Sequence, residues 1–176
     1  MTILKSLGLT ALCVVVTSQI VSAQATTRSK VLGEAMQGHD HQAYQNLAQQ
    51  RSQVLYYYAQ AKEPMPMAEA KELVGGIKKD LAASDAALAK LKTAHAKEPE
   101  VIKQIALIEK HHAKAHEVCG MAEEACLKEH GDHVVIGNCC SEMWHEIDAA
   151  KTETTKLLKM LKIEKLEPPK KVEAKK

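Results

Sequence analysis

The feature that most constrains the fold of this chain is its punctuation. Glu63-Pro64 stops one helical stretch, because the residue before a proline avoids the helical region. Pro66 can sit in the first turn of the next helix, and Pro99 in the first turn of a third. Glu98 and Glu100 lie beside the positive end of that third helix's dipole, and Gly131 closes it. Asp40 and Asn138 are placed to cap a first and a fourth helix. Helices are therefore predicted over about 41–62, 66–94, 99–131 and 138–163. In the second, Leu73, Ile77, Leu81, Leu88 and Leu91 are spaced by three, four or seven and share one face. A weaker helical segment over 29–37 ends near Gly38.

Short connections between long amphipathic helices make neighbours antiparallel. The predicted fold class is all-α: an antiparallel up-down-up-down four-helix bundle over 41–163. A short N-terminal segment (24–40, partly helical) precedes it and a disordered basic tail (164–176) follows. Composition agrees. With no Phe, one Trp and four Tyr, the core must be built from Ala, Leu, Ile, Val and Met. A chain rich in Ala, Lys, Glu and Leu favours helix.

The first 23 residues read as a secretory signal peptide. Lys5 supplies the charge, 7–16 a short apolar core, and Val21-Ser22-Ala23 a small-x-small cleavage site. Cleavage there leaves 153 residues with a formal charge of +1 and removes Cys13. The expected location is the periplasm, the cell envelope or the medium, with no membrane insertion after cleavage. A near-neutral charge and few aromatics exclude a nucleic-acid binder, which needs a basic face and stacking platforms.

The remaining chain carries nine His and four Cys, and ten of these thirteen lie within 111–145. Spacing accounts for the concentration. The third helix opens with the core stripe Val101, Ile105, Ile108; steps of three and four then continue it through His112, His116, Cys119, Glu123, Cys126 and His130. Its inward face changes from aliphatic groups to metal-ligand groups. His112 and His116, four apart, present both imidazoles on one face as a two-point chelate. Cys139 and Cys140 would occupy the first two positions of a helix capped by Asn138, where the dipole stabilises thiolates. Cys140, Met143 and Ile147 share its core stripe. The 64–67 turn, with Met65 and Met67, falls at the same end of the bundle as His133 and the cysteines. Thioether, thiolate and imidazole favour copper(I) first and zinc second, whereas calcium and magnesium prefer oxygen. The expected metal ligands are His112, His116, Cys119, Cys126, His130, His133, Cys139, Cys140 and Met143.

Rival readings follow from the same residues. Cys119 and Cys126 are about 10 Å apart along one helix, beyond disulfide reach. Cys126 could reach Cys139 or Cys140, and one such bond would staple helices three and four. The chain would then be a structural or interaction protein of the cell envelope. Glu109-x-x-His112 and Glu142-x-x-His145 match an element of di-metal redox bundles, but helix one offers no acid between His41 and Lys62. No nucleophile elbow, phosphate loop or zinc-protease motif is present, so a non-enzymatic role is expected. His111, His145, His39 and His41 read as solvated groups, the last two with the option of a surface metal site near His95. Trp144 is expected to cover the start of helix four, and Tyr58 to pack with Val54.

The signal peptide, the helical bundle and the inward Cys, His and Met of 109–145 resemble the exported cysteine-rich four-helix-bundle copper-binding proteins. The resemblance covers about a fifth of the chain. It implies one or a few soft metal ions held by Cys119, Cys126, Cys139, Cys140 and neighbouring His, not the large copper store of a cysteine-dense bundle.

Overall fold

The computed structural model describes residues 7–61, 65–128 and 132–163, with side chains from Lys30 onward. Four helices make it up: α1 (Leu7–Gln60), α2 (Met67–Ala94), α3 (Pro99–Leu127) and α4 (His133–Met160). No strand occurs among the described residues. The chain divides into two compact units, 1–36 and 37–176. In the first, the described part is helical; Lys30 and Glu34 pair at 3.6 Å one turn apart, and Val31, Leu32 and Met36 are exposed. No described helix is long and apolar enough to cross a membrane.

The second unit is the four-helix bundle. Two apolar clusters fill it. One gathers Leu55, Met65, Val74, Ile77, Leu81, Ala115, Val118, Ile136, Met143 and Ile147 together with all four described cysteines. The other gathers Leu88, Leu91, Val101, Ile105, Ile108, Ala150 and Leu157. Side-chain bonds tie the helices across these layers. Ser52 Oγ donates to the Cys140 carbonyl at 2.8 Å, Arg51 meets Asp80 at 2.8 Å, and Lys92 meets Glu109 at 2.8 Å.

Three boundaries differ from the sequence reading. α1 runs unbroken through Gly38 and Asp40, so Gly38 ends no helix and Asp40 starts none. Gly38 serves packing instead: a Cβ there would stand 2.6 Å from a Leu158 methyl and 3.2 Å from Ile163. α4 begins at His133, capped by Asp132, whose side chain accepts the Val135 N–H at 3.1 Å. Asn138 therefore lies inside the helix. α3 ends at Leu127 with Lys128 as its C-cap, and Gly131 lies outside the described residues. The other boundaries follow the prolines: Pro66 precedes α2, and Pro99 is its helix's first residue. The breaking dipeptide Glu63-Pro64 and the tail from 164 lie outside the described residues.

α4 stops in a hydrogen-bonded reversal. The Ile163 N–H reaches Leu158 O at 2.9 Å, the Lys162 N–H reaches Lys159 O at 3.1 Å, and Lys162 adopts φ 55°. This is a Schellman cap with lysine where glycine is usual. Leu158 and Ile163, the two apolar side chains it brings together, are the ones that close over Gly38.

Candidate metal centre

The inward face of α3 departs from the predicted stripe after His112. A helix of 3.6 residues per turn keeps one face inward by alternating steps of three and four. Ile105, Ile108, His112, Ala115, Cys119, Ala122 and Cys126 do so, and all are buried. His116 and Glu123 fall one position off the face. Glu123 pairs with Lys78 at 2.7 Å, and His116 is half-buried on the flank toward α2.

The predicted ligands separate into two groups. The first is sulfur. Cys119, Cys126, Cys139 and Cys140 are buried free thiols in one cluster that also holds Met65 and Met143. Burial pushes all four thiols upward, Cys119 to about 11; neighbouring thiolates add to it for Cys119, Cys126 and Cys140, and the charge of Glu142 for Cys139. For Cys119 and Cys126 this outweighs the opposing pull of Lys78 and Lys71 respectively. The expected stabilisation by a helix N-terminus is absent, because α4 begins at His133 and both Cys139 and Cys140 lie more than a turn inside it. Cys119 Sγ–H lies 3.9 Å from the Val74 carbonyl and no histidine is its hydrogen-bond partner. Met67 packs partly buried against the same cluster.

The second group is polar and was only half visible in the sequence. His112 is buried; its Nδ1–H donates to Asp85 Oδ1 at 2.5 Å, and Gln45 Nε2 lies 2.9 Å from its Nε2. His116 Nε2–H donates to the other Asp85 oxygen at 2.8 Å. Burial alone would push the Asp85 carboxyl up. The hydrogen bonds and charge of His112 and His116 outweigh it and hold Asp85 well below the usual carboxylate range. Asp85, His112, His116 and Glu109 line a groove open to solvent. His41, expected to be solvated, is instead fully buried beside His112, with ring centroids 5.4 Å apart. Its Nδ1–H donates to the Ser84 carbonyl at 3.0 Å, and Thr154 Oγ1 lies 3.0 Å from its Nε2. Burial, and then the neighbouring His112, push His41 down to about 4.

Asp85, Ser84, Gln45 and Thr154 had one signal in the sequence. The apolar stripe of α2 skips from Leu81 to Leu88, and the missing step is where Ser84 and Asp85 stand. Nothing in the sequence said which helices would meet them there.

The other sequence-predicted residues disperse. His133 opens α4 half-buried, and His130 lies outside the described residues. His111 pairs with Glu146 at 2.7 Å, and His95 with Glu98 at 2.8 Å. His145 is exposed, edge-on to Trp144. Trp144 lies well inside α4 and lines a pocket with Tyr56, Tyr57 and Cys140. The Tyr58 hydroxyl donates to Glu69 at 3.0 Å, while Val54 is exposed. Glu109 and Glu142 of the two Glu-x-x-His elements pair with Lys92 and Lys114.

Among the described residues no group of three or more His, Cys, Asp or Glu side chains stands ready to enclose a metal ion. No protein-family model, curated protein or solved structure matches the chain.

Proposed function

We propose that this chain is an exported, non-enzymatic helical-bundle protein that binds a soft metal ion through its buried sulfur cluster. Copper(I) is the preferred ion and zinc the second, for sequestration, delivery or sensing. The single observation that carries the reading is that four buried free thiols belong, with Met65 and Met143, to one apolar cluster. Sulfur donors select soft cations. Burial makes an isolated thiolate costly there, so the thiols ionise when a cation enters to offset the charge.

The bundle is proposed to be antiparallel, up-down-up-down. His41 bonds Thr154 while Ser52 bonds Cys140, an order that supports opposed α1 and α4. Lys92 with Glu109 and Lys78 with Glu123 support the same for α2 and α3. That topology brings Met65 to the end where α3 passes to α4. Residues 1–23 are proposed to direct export.

Anaerobic titration with copper(I) against a competing chelator tests the function, with alkylation of the thiols followed in parallel. At least one equivalent should bind, and alkylation of the thiols should be slower with the metal than in the folded, metal-free protein. Replacing Cys126 and Cys140 together by alanine should abolish most of the binding.

The same burial favours a second reading, in which the cysteines are small apolar groups of a structural protein of the cell envelope. Failure to bind copper(I) or zinc, with alkylation of the thiols unchanged by either ion, would establish that reading in place of the first.

A further inference from the structure

We infer a second, chemically different metal site: a divalent-cation site of two imidazoles and one carboxylate, formed by His112, His116 and Asp85. It does not rest on the thiol reading, and its ion is of the zinc class, a borderline divalent cation suited to nitrogen and oxygen donors.

Three observations carry it. First, His112 Nδ1 and His116 Nε2 converge on the two oxygens of a single carboxylate, at 2.5 and 2.8 Å. Those are distances of proton-sharing pairs. A tetrahedral ion with bonds of about 2.0 Å holds its donors roughly 3.3 Å apart, so loading requires the His112 and His116 pairs with Asp85 to part by about 0.8 and about 0.5 Å. Asp85 is 41 % exposed and His116 37 % exposed, so both have room to move. Second, the three donors line an open groove, which gives an ion a path in and leaves space for a water as a further ligand. Glu109 on the same groove adds negative charge at its rim, shared with Lys92.

Third, Gln45 is fully buried, and its Oε1 has no hydrogen-bond partner among the described residues. Its Nε2 lies 2.9 Å from His112 Nε2. In this orientation the amide N–H donates to that nitrogen and keeps the ring proton on Nδ1, toward Asp85. Turned over, the amide oxygen accepts a proton from Nε2 and leaves the Nδ1 lone pair for an ion. One half of the amide goes unpartnered either way, a cost that its own hydrogen bonding does not recover. Its consequence is to choose the tautomer of His112. A ligating histidine ordinarily gives its far N–H to such an acceptor. Binding then moves the His112 ring proton from Nδ1 to Nε2, so that the imidazole ligates as a neutral group with no net proton lost or gained there.

Cobalt(II) titration of the full-length chain, as the spectroscopic stand-in for zinc, tests the site. The wild type should take up one equivalent showing visible d–d bands without a near-ultraviolet thiolate charge-transfer band, distinct from any further equivalent that the thiols hold. That equivalent should disappear in Asp85→Asn and in His116→Ala and persist in Cys126→Ala. Gln45→Leu should weaken it about 10- to 100-fold. Circular dichroism of each variant separates lost binding from lost folding, and His116→Ala, at a half-exposed position, is the variant chosen to stay folded. Ring nitrogen-15 spectra with zinc should shift His112 and His116 and leave His145 unchanged. The proposal is overturned if the folded wild type binds neither cobalt(II) nor zinc. It is equally overturned if both folded variants bind as the wild type does, or if the equivalent lost carries a thiolate band. Failure of copper(I) to bind the cysteines would leave these outcomes unaffected.

Discussion

His41 shows what burial does to a titratable side chain. It is held neutral, with its ring nitrogens beside Ser84 and Thr154 and the rings of His112 and the carboxylate of Asp85 nearby. Its pKa falls from the ordinary 6.5 to about 4. Between those values the unfolded chain binds the proton and the folded chain does not, so stability rises with pH. The contribution is complete above 6.5 and is lost as pH falls toward 4. The full swing from this residue is roughly 3 kcal/mol. Asp85, held low by the two imidazoles, acts in the same direction at still lower pH. Chemical denaturation across pH 4–7 should show the decline, and His41→Gln should flatten its upper part. A slope unchanged by that substitution would assign the acid sensitivity elsewhere.

The thiols set a second expectation at this scale. Because burial keeps all four protonated, they should react slowly with alkylating agents in the folded, metal-free protein and rapidly once it is unfolded. Rapid reaction of Cys139 or Cys140 in the native state at neutral pH would contradict the burial found here.

At the scale of the element, the ends of α4 are the informative parts. Asp132 accepts the Val135 N–H and carries a carboxyl held low, first by that backbone bond and then by Lys128. Asp132→Ala should lower the melting temperature, whereas Asn138→Ala, at an exposed position within the helix, should leave it near the wild-type value. At the other end, Lys162 holds a left-handed conformation that costs an L-residue about 1–2 kcal/mol and glycine little. Lys162→Gly should therefore stabilise the protein by about 0.5–1 kcal/mol, measured by denaturant unfolding. A loss of stability would mean that the lysine side chain contributes more than its backbone costs.

These two ends also show how far helix boundaries could be read. The prolines marked the starts of α2 and α3 well, because a missing N–H and a fixed φ act locally. Gly38 and Asn138 were misread. Each has the chemistry of a helix end, but Gly38 is demanded by Leu158 and Ile163, which lie over a hundred residues away in the chain. Asn138 was passed over because Asp132 satisfied the free N–H groups a turn and a half earlier.

At the scale of the whole molecule, a polar layer separates two apolar clusters. On α2 it falls between Leu81 and Leu88, and on α3 between Ile108 and Ala115. Buried polar groups of this kind are seldom the most stabilising choice, and apolar replacements of like volume are often neutral or better. Thr154→Val with His41→Leu is expected to retain the helical fold without loss of melting temperature while removing the pH sensitivity above. Loading the sulfur cluster should raise stability by mass action, about 4 kcal/mol at a thousandfold excess over the dissociation constant, less whatever the unfolded thiols bind. A melting temperature indifferent to copper(I) would argue against the cluster as a site.

The sequence by itself determined four helices, the prolines that start two of them, and the concentration of His and Cys on α3 and α4. Helical periodicity and backbone sterics are local, so they are written in short stretches of chain. It also placed Cys119, Cys126, Cys140 and Met143 on inward faces, where they are buried, since thiols and thioethers continue an apolar stripe. Only the tertiary structure decided that His112 and His116 belong with Asp85 and not with Cys119, and that His41 is buried rather than solvated. It was also the tertiary structure that decided Gln45 would be enclosed with half its amide unpartnered. Which polar groups share a layer depends on the relative rotation and registry of packed helices. A drift of one position along α3, from the 3.6-residue turn, was enough to move His116 from the core to the groove.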